Sequence, residues 1–404
     1  MADQIVENYI ANVKKEVLQE NMRDIPLAYL MQTAIPESIK HYFNHEVENW
    51  ILEEEAKFES SERFDYDIPE VRMKIDQIFD HLKNTATFST NQFNQLLERA
   101  VKLERSFTIQ PQRTLTQFLF KNNTEVRTKQ VNDTLNYFFV HEYYKQKLTE
   151  YFDLKYLQQI NLEQFKALLK QIDEQVFNAD LKTEALKLVK AIAELISKGS
   201  DDGKIPLEEI VKAFEDRSLK EYSSLFNSLL SKGIETLSLR EIEEAIDNSD
   251  KTQTHVAEET ISLDDIDISA VQMEAPVAEE EDEEDDDFDE EEDELSESEN
   301  AEAVGDQLSD MVASQMDSGK PLQDLNELID KKQRKLFLKK LFKKDEAAFE
   351  DFIAEINELT SWKDASYVIE DEFYNRDINP YSKEATMFSD ICYNRFFPTD
   401  EYVG

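Results

Sequence analysis

Glycine is scarce in this chain: there are six in 404 residues, and none precedes Gly199. Phosphate-cradling loops, dinucleotide-binding turns and nucleophile elbows all place glycine where the backbone takes φ > 0 or passes close to a ligand. Everything before Gly199 therefore lacks them in standard form. Cysteine is scarcer still. Cys392 stands alone, which excludes an intrachain disulfide and a cysteine-rich metal centre and fits a reducing compartment. Few glycines and nine prolines disfavour a sheet-rich fold with many tight turns. His81, His141 and His255 are isolated, so no acid–base constellation stands out. The most apolar early stretch, IPLAYLMQTAI (25–35), is about half the ~20 residues a bilayer span needs. The opening MADQIVENYI lacks the basic-then-apolar order of a signal peptide. These absences predict a non-enzymatic, cytoplasmic protein with no membrane span and no cofactor.

What is present is helical periodicity. Ile5, Tyr9, Ile10, Val13 and Val17 share one stripe, as do Ile39, Phe43, Val47, Trp50 and Ile51. Leu181, Ala185, Leu188, Ile192, Leu195 and Ile196 form another. Residues 132–152 are aromatic on more than one face, which predicts a helix buried between others. Pro26, Pro36, Pro69 and Pro111 precede apolar runs, as proline does in a first helical turn. The fold class is all-α: a multi-helix body over 1–250, with a sub-boundary near 153–180 and a helix–loop–helix pair over 181–250.

Four segments repeat one pattern: FSTNQFNQLL (88–97), INLEQFKALL (160–169), IPLEEIVKAF (205–214) and LSLREIEEAI (237–246). Ser89 with Gln92, Asn161 with Gln164 and Ser238 with Glu241 read as capping boxes. The last two segments align further, as SKGSDDGKIPLEEI and SKGIETLSLREI, and suggest a duplicated helix–loop–helix. The first of these carries half the signature of a twelve-residue calcium loop. With Gly203 at position 6, the candidate ligands are Ser200, Asp202 and Glu209. Lys198 falls at position 1, where an ammonium repels a cation, so a tight glycine turn is the plainer reading. His41 and His45, with Glu37 and Glu48, share a stripe that could present two imidazoles to a metal. The HExxH order is absent, and these side chains are expected to face solvent.

The formal charge is −44, from 89 acids and 45 bases. Residues 251–320 hold 27 acids against Lys251 and Lys320, and so contribute −25 of it. Within them 279–294 is acidic at every position but Phe288, too charged to build a core. Residues 251–320 are therefore expected to form a disordered acidic linker. Ser296 and Ser298, in LSESEN, are candidate phosphoacceptors. Beyond the linker, 321–404 reads as a small three-helix domain: a charged helix over 331–359, one capped by Ser361, and one starting at Asn379-Pro380. The wording NELTSWKDASYVIEDEFYNRDINPYSKEATMFSDICYNRF resembles the end of a group of uncharacterised helical proteins from Bacteroidota-type bacteria. The resemblance spans roughly the last 70 residues and implies no activity or ligand.

Lys331, Lys332, Arg334, Lys335, Lys339, Lys340, Lys343 and Lys344 put eight positive charges in fourteen residues. An acidic chain with such an island fits an interaction or scaffold protein with a protein partner. The tether would regulate access to the basic helix, or take up basic surfaces itself through 279–294. A degenerate calcium-responsive protein and an acidic chaperone of basic proteins are the alternatives. Nucleic acid or an anionic surface is a lesser expectation for 331–344, because net negative charge opposes phosphate binding.

Overall fold

Six strands of three residues, each followed at once by a helix, organise the body of the chain. The computed structural model describes residues 2–19, 22–58, 64–121, 123–200, 202–250 and 322–398. The expected linker, with 279–294, Ser296 and Ser298, lies outside the described residues.

The first unit is α1 (Ala2–Val17), β1 (Asp24–Pro26) and α2 (Leu27–Leu30), after which α3 (Glu37–Ala56) intervenes. The second is α4 (Pro69–Thr85), β2 (Thr87–Ser89) and α5 (Thr90–Ile109). The third and fourth are α6 (Pro111–Phe120), β3 (Glu125–Arg127), α7 (Thr128–Leu135), and α8 (Tyr143–Lys155), β4 (Gln159–Asn161), α9 (Leu162–Ala179). The fifth and sixth are α10 (Leu181–Ser197), β5 (Lys204–Pro206), α11 (Leu207–Asp216), and α12 (Lys220–Leu230), β6 (Thr236–Ser238), α13 (Leu239–Asp250).

The strands pair antiparallel, two by two: β1 with β2, β3 with β4, β5 with β6. At the centre of each ladder two apolar residues oppose each other: Ile25 and Phe88, Val126 and Ile160, Ile205 and Leu237. All but Leu237 are buried. Burying one such side chain contributes roughly 1.5–3 kcal/mol, against about 0.5–1.5 for a hydrogen bond, so apolar contact rather than the short ladder sets the pairing. The helices then begin as the sequence predicts. Ser89 with Gln92 and Asn161 with Gln164 form complete capping boxes. Glu241 accepts from the Ser238 backbone while the Ser238 hydroxyl accepts from Glu241 N–H.

The repeat is thus six units in three pairs. The first and third pairs share one core with α3 and Phe177 of α9, and the middle pair has its own, which takes in Phe107 of α5, with Val176 packed against both. Gly199 lets α1 lie directly on the end of α10: a Cβ there would collide with the Ile5 carbonyl. Asn8 and Asn12 of α1 donate to the Gly199 and Lys198 carbonyls at 2.9 and 3.0 Å, satisfying the end of α10.

Two expected helices are each broken in two. Residues 132–152 divide between α7, which ends at Leu135, and α8, which begins at Tyr143, with His141 at a left-handed φ of 56° in the connection. Aromatics on several faces marked two helix ends and the turn joining them. The charged helix over 331–359 is α15 (Lys331–Lys340) and α16 (Glu346–Glu358), preceded by α14 (Leu325–Leu328). Lys343 and Lys344, both at positive φ, make the break. α17 (Trp362–Asn375) is capped by Ser361 as expected, whereas α18 (Lys383–Phe396) starts from Ser382 rather than Asn379-Pro380. This C-terminal domain has a third core around Phe337, Phe349, Phe352 and Phe388. It does not stand apart from the body; it packs against α1, α5 and α6.

Candidate functional site

The calcium-loop candidates are not all in one place, and Glu209 is the one apart. Its side chain is buried in α11, and one carboxylate oxygen accepts from Arg105 of α5 at 2.7 Å, with Lys212 at 3.8 Å. A carboxylate so engaged is turned into the protein. Lys198 reaches the other way, pairing with Glu104 at 2.6 Å beside the Tyr9 ring. Asp202 accepts from the Ser200 hydroxyl at 2.9 Å and the Lys204 backbone at 3.0 Å, closing the turn over Gly203 at φ 66°. The Lys204 N–H, then Ser200, hold the Asp202 carboxyl below its usual range. Ser200 and Asp202 are therefore together, and Glu209 is elsewhere.

The same substitution of roles runs through the six units. With the central strand residue at position 8 of a calcium loop, position 3 is Lys83, Lys121, Lys155 and Lys232 in four of them. Position 12, the bidentate glutamate of a calcium loop, is Tyr29, Gln92, Gln130, Gln164, Glu209 and Glu241. Gln92, Gln164 and Glu241 spend that side chain on capping their own helix.

His41 and His45 do not face solvent as expected. Each is half-buried against the turn after α7, His41 edge-on to Phe139 at 4.7 Å and His45 against Tyr137 at 4.0 Å. The aromatics of 136–142 supply this cover, which the periodicity of α3 alone could not reveal. Glu37 pairs with Lys40, and Glu48 accepts from Lys83, Tyr137 and Asn44. Among the described residues, no group of three or more His, Cys, Asp or Glu gathers as a metal site.

One buried polar cluster was invisible in the sequence. Asp173 of α9 accepts from the Tyr143 and Tyr144 hydroxyls at 2.8 and 2.6 Å and from the Gln112 amide. Arg217, at the end of α11, donates to the Ile109 and Ala213 carbonyls, and its Nη2 lies 3.0 Å from His141 Nε2. Burial, with the Arg217 charge, pushes His141 down to about 3, so the ring is neutral; its Nε2 lies between the Arg217 guanidinium and the Thr108 carbonyl, 2.9 Å from the latter. Asp216 accepts from the backbone N–H groups of Gln112 and Arg113, capping α6. Burial nevertheless pushes its carboxyl up to about 6, against the pull of Arg217. The cluster ties α6, α8, α9 and α11 together across the seam between the two body cores.

The basic residues make a surface. Phe337, Leu341 and Phe342 are buried in the domain core, and Leu336 and Leu338 are half-buried. Lys331, Lys332, Lys335, Lys339, Lys340, Lys343 and Lys344 are all exposed, and none forms an ion pair among the described residues. Arg334 is set apart: it binds Glu350 and Asn326 and lies over the Phe349 ring. Asp330 caps α15 through a complete capping box with Gln333. Lys331 and Lys332 then occupy the first turn, where the helix dipole disfavours positive charge by about 0.3–1 kcal/mol each. Outside 331–344, residues 322–398 hold sixteen acids and four bases, so the domain is strongly polarised.

No curated protein and no solved structure matches the chain. Its C-terminal domain does have relatives: residues 326–397, from within α14 through α18, match the model of a family described as a domain of unknown function (DUF8457).

Proposed function

We propose that this is a non-enzymatic interaction protein whose lysine face on α15 takes an acidic protein segment, with residues 279–294 of the same chain competing for that face. The observation that carries the reading is the pair Lys331 and Lys332, held in the first turn of α15 with no acidic partner among the described residues. Charges kept against the helix dipole cost stability, and a binding role accounts for their presence.

The chemistry of the face favours carboxylates over the other polyanions. Among the described residues of 322–373, no large apolar or aromatic side chain is exposed. A base-stacking platform and a membrane wedge are both missing from it. The one guanidinium, Arg334, is occupied by Glu350 and Asn326, which leaves lysine ammoniums as point charges. Fifteen acids in sixteen residues at 279–294 supply a matching polyanion within the chain.

The test compares the full chain with a deletion of 279–294, using labelled polyglutamate as probe. Deletion is expected to tighten binding by about tenfold at low salt, where exposed charges are least screened. Lys335→Glu with Lys339→Glu removes binding in both backgrounds. Equal affinity with and without 279–294 would end the competitor reading. Tighter binding of a single-stranded RNA or of anionic vesicles than of polyglutamate would replace the acidic protein as partner.

A further inference from the structure

The C-terminal domain meets the body through a series of matched charges. Glu7 of α1 accepts from Lys363 at 2.6 Å and from the Tyr367 hydroxyl at 2.9 Å. Glu98 of α5 accepts from the Trp362 indole at 2.8 Å, and Lys102 bridges Glu98 to Glu370 of α17. Asp390 of α18 takes both Gln95, at 2.6 Å, and Arg99. At the end of α6, Asn379 donates to the Gln117 and Lys121 carbonyls at 2.8 and 3.0 Å, supplying the cap that this helix end lacks. Aromatic rings also meet the body: Arg113 lies over Tyr374, and Phe118 is edge-on to Tyr381 at 5.1 Å.

Three features bear on how permanent this contact is. Each partner has its own apolar core, so the core side chains of each stay buried without the other. Interfaces of this polar kind within one chain are the ones across which domains move. The connection between α13 and α14 is also long: residues 251–321 have a maximum contour of roughly 230 Å at about 3.3 Å per residue. Separation would therefore not strain the chain.

We propose that the C-terminal domain is a latch, closed on α1, α5 and α6 by exchangeable ion pairs and opened as an intact unit when those pairs are screened or outcompeted. Opening uncovers a charged and aromatic surface on each side: Glu7, Glu98, Lys102 and Phe118 on the body, and Trp362, Lys363 and Tyr381 on the domain. This is independent of the lysine face, which lies on α15 and takes no part in these contacts.

The experiment uses the full chain with one protease site inserted between residues 251 and 321, cut after purification. At about 0.05 M salt the two pieces are expected to elute together from a sizing column; at about 1 M salt, where the screening length falls to ~3 Å, they separate. Lys363→Glu should weaken the low-salt association by about tenfold, and adding Glu7→Lys to that variant should restore it. The restoration distinguishes a lost contact from a misfolded domain. Pieces that stay together at both salts would show a permanent interface and overturn the proposal. Pieces that part at low salt would show no closed state and overturn it equally.

Discussion

Arg105 and Glu209 meet at 2.7 Å, a helix of the second unit gripping the first turn of a helix in the fifth. The guanidinium takes the carboxylate that stands at position 12 of the calcium-loop register and holds it away from the Ser200–Asp202 turn. The fifth unit is fixed by a cation that belongs to the chain.

Replacing that cation has a defined result. Arg105→Gln leaves the buried Glu209 carboxylate short of its main partner, which is expected to lower stability by about 3 kcal/mol in urea unfolding. Adding Lys198→Asp supplies an acid at position 1 of the loop and removes a repulsive ammonium. The double variant is expected to give a calcium-binding heat by calorimetry, and the unaltered chain none. A silent double variant would show that Arg105 is an ordinary ion-pair partner.

The Asp216–Arg217–His141 cluster predicts two opposing pH dependences. Asp216 has a folded value of about 6, above its ordinary 3.8, so the native state takes up this proton first. Its contribution to stability grows as pH falls from about 6 to 3.8. His141 is depressed from 6.5 to about 3, so the unfolded chain protonates first and stability is lost over that fall. The two offset each other between about pH 6 and 4. Asp216→Asn should therefore make stability fall with acid relative to the unaltered chain, and His141→Gln should make it rise. Urea midpoints across that range would read both signs.

Lys331 and Lys332 separate stability from binding. Lys331→Glu with Lys332→Glu puts favourable charge in the first turn of α15 and is expected to raise the unfolding free energy by roughly 1 kcal/mol. The same change should weaken polyglutamate binding severalfold in the chain lacking 279–294. A variant that is both more stable and equally able to bind would remove these two lysines from the face.

The helix starts were readable from the sequence where a side chain announced them. Ser89, Asn161 and Ser238 carry an amide or acid three residues on, and all three begin helices. The first unit departs from the repeated pattern at Tyr29, where the others carry an acid or amide, and the third at Arg127, where the others carry Ser, Asn or Pro. Strand pairing was out of reach for another reason: Ile25 and Phe88 have no local pattern in common beyond being apolar. The lysine face was legible because it is contiguous, whereas the pairing of Glu209 was not, because Arg105 lies 104 positions away. The domain contact was hidden in the same way, since Glu7 and Lys363 are ordinary surface charges until the fold brings them together.

The brevity of the six strands has a consequence for how the protein fails. Each ladder ends after three residues, where its strands turn into helices, so the folded state exposes no long row of free amides and carbonyls among the described residues. Cross-β growth recruits segments of about six residues along an open edge. The ladders of the described residues provide no such template, and growth from one of these strands would first require melting the helix that follows it.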